Sequence, residues 1–151
     1  MKKTFALIAA FSIFGGTAAL AQDYAAEVKA RQGQFRILAL NLGVLGGMAK
    51  GDIAYDMAAA QAAADSLVGV SMVHQPTLWP EGSDNMSIDG TRAQPNMWEN
   101  LDDVMAKWGA LGDAAKEMQT AAATGQEAIG PALGKLGGTC KACHDAYRAP
   151  E

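Results

Sequence analysis

The run QEAIGPALGKLGGTCKACHDAYR, from Gln126 to Arg148, decides how this chain folds. Within it Ile129, Leu133, Leu136, Cys140, Cys143 and Tyr147 follow one another at alternating steps of four and three. That is the spacing of a seam along one face of a helix packed in a bundle. A single seam cannot be covered by its own helix, so partner helices must supply the opposing faces. Pro131 stands early in the run, where it lacks a backbone N–H and crowds the preceding turn. The helix is therefore expected to start late or to kink there.

Three further segments with helical periodicity lie upstream. Thr124-Gly125 separates the last helix from a third one, predicted to begin at Pro95 and to turn Trp98, Leu101, Met105, Trp108 and Ala115 inward. An Ala-rich second helix is predicted from about Ile53 to Val70, with Met57, Ala60, Ala64, Leu67 and Val68 on one side. The first runs from about Tyr24 to Lys50 and carries Val28, Phe35, Leu38, Leu42 and Leu45. Gly51-Asp52 closes it with a glycine stop followed by a capping residue. Between Ser71 and Gln94 the residues Pro76, Pro80, Gly82, Asp84, Asn85 and Gly90 exclude a helix and make a long crossover, of a length that is usually functional or ordered against something. No β-branched strand pattern separates the helices, which excludes an α/β thioredoxin-like domain. The expected fold is all-α, an antiparallel four-helix bundle in one domain, residues 22–151.

The chain of 151 residues is 50% hydrophobic and 19% charged, with mean hydropathy +0.01, which excludes an intrinsically disordered protein. Twelve basic residues against sixteen acidic ones give a formal charge of −4, the wrong sign for nucleic acid. Met1-Lys2-Lys3, the apolar stretch Phe5 to Phe14 and Ala19-Leu20-Ala21 form a three-part secretory signal, expected to be cut before Gln22. The apolar stretch is too short for a membrane anchor. Residues 1–21 therefore read as a signal peptide, and the periplasm is the expected location. In that oxidising compartment the two cysteines should be in a disulfide, on a metal or bonded to a cofactor.

Both cysteines and one of the two histidines fall in Cys140-Lys141-Ala142-Cys143-His144. C-x-x-C-H is the attachment motif of c-type haem. Cysteines three apart share a helix face and reach the two vinyl groups of one porphyrin, and the adjacent imidazole faces the iron. Gly137 and Gly138 leave room for a flat ring to approach. A dithiol oxidoreductase would carry its C-x-x-C at a helix start beside a strand, not deep in a last helix. A structural zinc site needs four ligands, and the second histidine, His74, reads as a solvated loop residue. The expected cofactor is one covalent haem c, with His144 as the iron ligand.

With only seven residues after His144, any second axial ligand must come from upstream. Four helices, a signal peptide and the terminal Gly137-Gly138-Thr139-Cys140-Lys141-Ala142-Cys143-His144-Asp145-Ala146-Tyr147-Arg148 together resemble the cytochrome c′ family. The Arg31-Gln32 pair and the Ala49-Lys50-Gly51 helix exit are lesser matches. In low-spin relatives of this family a methionine on the first helix ligates the iron; the corresponding position here is Phe35. The resemblance then implies a five-coordinate, high-spin haem with an apolar distal face. Its function would be one-electron redox chemistry together with binding of nitric oxide and other diatomic gases such as carbon monoxide. The competing reading is a low-spin electron carrier with a sixth protein ligand. Arg31 and Gln32 are expected at the haem edge near a propionate, or else as solvated groups on a helix face. Thr91 is expected at the haem edge, and Arg148 beside the proximal side or in solvent. Trp98 and Trp108 read as packing residues. No general acid, base or nucleophile set can be assembled, so no enzymatic activity is expected. Unidentified redox partners and a homodimer are implied, the latter through the first two helices, where Ala39, Gly43 and Gly46 permit close approach.

Overall fold

The computed structural model describes residues 23–150; the expected signal peptide, residues 1–21, lies outside them. Among the described residues five α-helices are present, α1 (Ala25–Lys50), α2 (Met57–Ser71), the single turn α3 (Asn96–Glu99), α4 (Leu101–Thr124) and α5 (Gln126–Tyr147), with one 3-10 turn at Pro76–Leu78 in the crossover. The four long ones form the antiparallel bundle, in which α1 and α4 each pack against both α2 and α5. Cross-helix hydrogen bonds fix the direction. Tyr55 Oη donates to the Ala122 carbonyl while Trp108 Nε1 donates to that of Ser71, so α2 and α4 run oppositely. Leu45, Ala60, Ala64, Leu67, Met118, Ile129 and Leu136 fill the centre. The alanines of α2 let neighbouring backbones approach without leaving voids.

Gly51 ends α1 in the left-handed region (φ 81°), with its N–H returned to the Met48 carbonyl at 3.1 Å. The second helix starts later than its sequence suggests. Ile53 is held by a hydrogen bond from its N–H to the Gly47 carbonyl, and its side chain lies where a β-carbon on Gly47 would be. The helix begins only at Met57, where the Asp56 carboxylate accepts from Ala59 N–H at 2.7 Å.

The third predicted helix is broken in two. Asn100 (φ −130°, ψ 37°) leaves the helical region and donates its side chain to the Asn96 carbonyl. Met97, Val104 and Leu111 are buried, seven residues apart on one face, while Leu101 is exposed. By contrast, α5 begins at Gln126 despite Pro131. The N–H missing there would have served the carbonyl of exposed Glu127, which solvent satisfies at little cost. No described helix is long and apolar enough to cross a membrane.

Candidate haem-attachment site

Cys140, Cys143 and His144 lie on the last two turns of α5. The two cysteines are half-buried and face different clusters. Cys140 packs against the main core, and Cys143 against a second cluster of Met97, Val104 and Tyr147, with Trp79, Trp98 and Met105 at its border. Burial pushes both thiols above their ordinary pKa, so neither is poised as the thiolate that dithiol exchange requires. A β-carbon added to Gly137 or Gly138 would meet nothing within 4 Å, so the helix face just before the motif is open. Desolvation first, then Arg148 and Arg92, hold His144 below the usual histidine pKa. At neutral pH its imidazole is therefore a free base, the form that ligates iron.

Phe35 projects from α1 and is 37% exposed. Its ring meets Trp79 of the crossover (centroids 6.3 Å apart) and stands edge-on to Trp108 of α4 (6.2 Å). Trp79 in turn meets Trp98, whose Nε1 donates to the Trp79 carbonyl. Both indoles beside Phe35 have spent their N–H groups. Trp108 Nε1 donates to the Ser71 carbonyl at 2.9 Å, and Trp79 Nε1 to Gln75 Oε1 at 3.2 Å. This aromatic wall was not apparent from sequence, since Trp79 sits in a segment without periodicity. The one local signal was a large aromatic among turn formers.

Arg31 is not solvated. It is 2% exposed and hydrogen-bonds through Nη1 to Ser83 Oγ (2.7 Å) and through Nη2 to Thr91 Oγ1 (2.8 Å), with further bonds to the carbonyls of Ser83 and Leu78. Its guanidinium lies 4.3 Å from the centroid of the Trp79 ring. Burial lowers its pKa to about 10, against the opposing pull of Asp84, so it remains a cation at neutral pH. Among the described residues no carboxylate comes within ion-pair distance of it. Its hydrogen bonds go only to neutral acceptors, and the one carboxylate that acts on it, Asp84, does so beyond ion-pair distance. Gln32 donates to the Gly90 carbonyl at 2.6 Å. Arg31, Gln32 and Thr91 are thus brought together where the crossover lies on α1, while His74 is exposed, as expected.

Arg148 is exposed and stands at the other end of the crossover, where the chain is stitched to the end of α5. Gln94 N–H donates to the Tyr147 carbonyl, Ala149 N–H to that of Arg92, and Asn96 Nδ2 to that of Ala146. The last carbonyls of the helix that carries His144 are thereby satisfied. Tyr147 Oη donates to Asp103 Oδ2 at 2.6 Å, which joins this turn to α4. That bond pushes the Tyr147 pKa up to about 12 and lowers that of Asp103. Proton linkage sets the sign. The Tyr147 contribution is complete below pH 10 and is lost as pH rises towards 12; the Asp103 contribution is lost as pH falls below the usual carboxylate range. Of the three tyrosines, one should therefore titrate near pH 12 in an ultraviolet titration of the folded protein, and Tyr147→Phe should remove that step. Persistence of the step in the variant would assign it elsewhere.

The residues fit a covalently held haem. Two thiols on one helix face border an aromatic wall, a neutral imidazole adjoins them, and the nearby surface at Gly137 and Gly138 is open. A four-helix bundle with C-x-x-C-H on its last helix defines a class of c-type cytochromes distinct from those with the motif near the N-terminus. A family model described as Cytochrome C' matches residues 26–148. The cytochrome c′ of Cereibacter sphaeroides is 40% identical over 131 residues, covering 87% of this chain and 88% of that one. A solved cytochrome c′ from Rhodobacter sphaeroides superposes with a TM-score of 0.81 at 38% identity, covering 86% of this chain and all of the other. A solved ferrous variant of cytochrome c prime from Alcaligenes xylosoxidans with bound NO superposes at 0.72 with 28% identity, covering 85% and 98%. The chain belongs to the cytochrome c′ family.

Proposed function

We propose that the protein is a periplasmic, high-spin haem protein that exchanges single electrons and binds nitric oxide, with carbon monoxide as a weaker ligand. Haem c bound there would supply one-electron iron chemistry and an iron able to take up a diatomic gas. Cys140 and Cys143 would hold it through thioethers, His144 would ligate the iron, and Arg31 would complement a propionate. The observation that carries the reading is Phe35, a ring without a donor atom packed on Trp79, which borders the same cluster as Cys143. The polar hydrogens nearest that ring are committed to Ser71 and Gln75, which leaves no indole donor to favour dioxygen. Nitric oxide bonds to iron without such help. These properties describe a binding and carrier protein rather than an enzyme.

The test is an optical spectrum of the holoprotein expressed in a periplasm. A five-coordinate, high-spin ferrous haem that takes up nitric oxide is expected. A six-coordinate, low-spin resting spectrum would overturn the reading in favour of an electron carrier. Met97 and Met105, packed in the Cys143 cluster, would then be the thioethers to replace first. A homodimer belongs to the same proposal. Ile37 and Leu40 are exposed apolar residues on α1, and added β-carbons at Gly43 or Gly46 meet nothing within 4 Å. Sedimentation equilibrium should report twice the chain mass, and Gly43→Glu should halve it.

A further inference from the structure

We infer that Trp108, with Trp79 as its counterpart, is a positioning residue that limits how far Phe35 can swing and so sets the discrimination between gaseous ligands. The inference rests on reading Phe35 as the distal residue. Phe35 is held from two sides by rings of different elements, Trp79 on the crossover and Trp108 on α4. Neither stop is loose. Trp108 is tied to the last residue of α2 by its bond to the Ser71 carbonyl. Trp79 is tied to Gln75, which exchanges two side-chain hydrogen bonds with Gln34, the neighbour of Phe35 on α1 (2.9 and 3.1 Å), and Trp79 also carries the Arg31 guanidinium on its face.

A phenylalanine leaves its position by rotation about χ1 and χ2 into vacant space. Here two of its directions are closed by indoles that cannot recede without breaking a partly buried hydrogen bond. A ligand able to bind with the ring in place feels little of this; one that needs the ring displaced works against both stops. The bracket therefore raises the barrier selectively, through Phe35.

Carbon monoxide association should be measured by flash photolysis on four holoproteins: wild type, Phe35→Ala, Trp108→Ala and the double variant. Trp108→Ala should accelerate association about tenfold with an unchanged resting spectrum, and should add nothing once Phe35 is alanine. A crystal structure of the Trp108→Ala holoprotein should show Phe35 in two conformers. Trp108→Phe, which keeps a ring but loses the tie to Ser71, should give a smaller acceleration and serves if the alanine variant does not fold. If Phe35→Ala is fast and the Trp108 variants are not, or if the two effects multiply, the bracket is refuted while the distal role of Phe35 stands. If Phe35→Ala itself leaves the rate unchanged, the underlying reading fails instead.

Discussion

Replacing both Cys140 and Cys143 with alanine should abolish covalent haem: the purified variant carries the mass of the bare chain, whereas the wild type exceeds it by one haem. The reason is geometric. Residues three apart on α5 share a face, and both sulfurs are half-buried at the border of the two apolar clusters. Either cysteine alone should keep one bond, so single variants retain haem through acid-acetone extraction. The double variant should also be much less stable, because a group that binds only the folded chain stabilises it, and its loss leaves the aromatic wall facing water. Haem extracted freely from the wild type would contradict the attachment, and with it the whole reading of the site.

The second large effect is at Phe35. Phe35→Ala should raise the rate of carbon monoxide association by about tenfold or more, equivalent to about 1.4 kcal/mol or more off the barrier. With 37% of the residue exposed, its removal should cost about 1–2 kcal/mol of stability. A cost of about 3–5 kcal/mol would apply only to a ring fully enclosed. Phe35→Met places a thioether beside Trp79 and Trp108 and should drive the haem towards low spin, visible in the resting spectrum and as slower gas binding. A variant that stays fully high-spin would show that this position does not face the iron.

The four helices were legible because amphipathic periodicity is local: seams such as Ile129–Leu133–Leu136 on α5 record burial within a few residues of one another. The attachment motif was legible for the same reason, since its chemistry needs only one helical turn. Two helix boundaries differ from the periodic pattern because a short-range contact interrupts it. Ile53 hydrogen-bonds Gly47 instead of opening the second helix, and Asn100 interrupts the third, where Leu101 lies outside.

The environment of the motif belongs to the tertiary structure alone. Arg31 reads in sequence as either a haem-edge or a surface charge, and its burial depends on Ser83 and Thr91, fifty-two and sixty residues away. The Phe35 bracket joins α1, α4 and the crossover, and the stitching of Arg92–Asn96 to the end of α5 joins segments some fifty residues apart. By itself the sequence determined which helices form and which side chains would hold the haem. Only the folded chain decided what stands opposite them, because no periodic pattern records which irregular segment will lie across a given helix face.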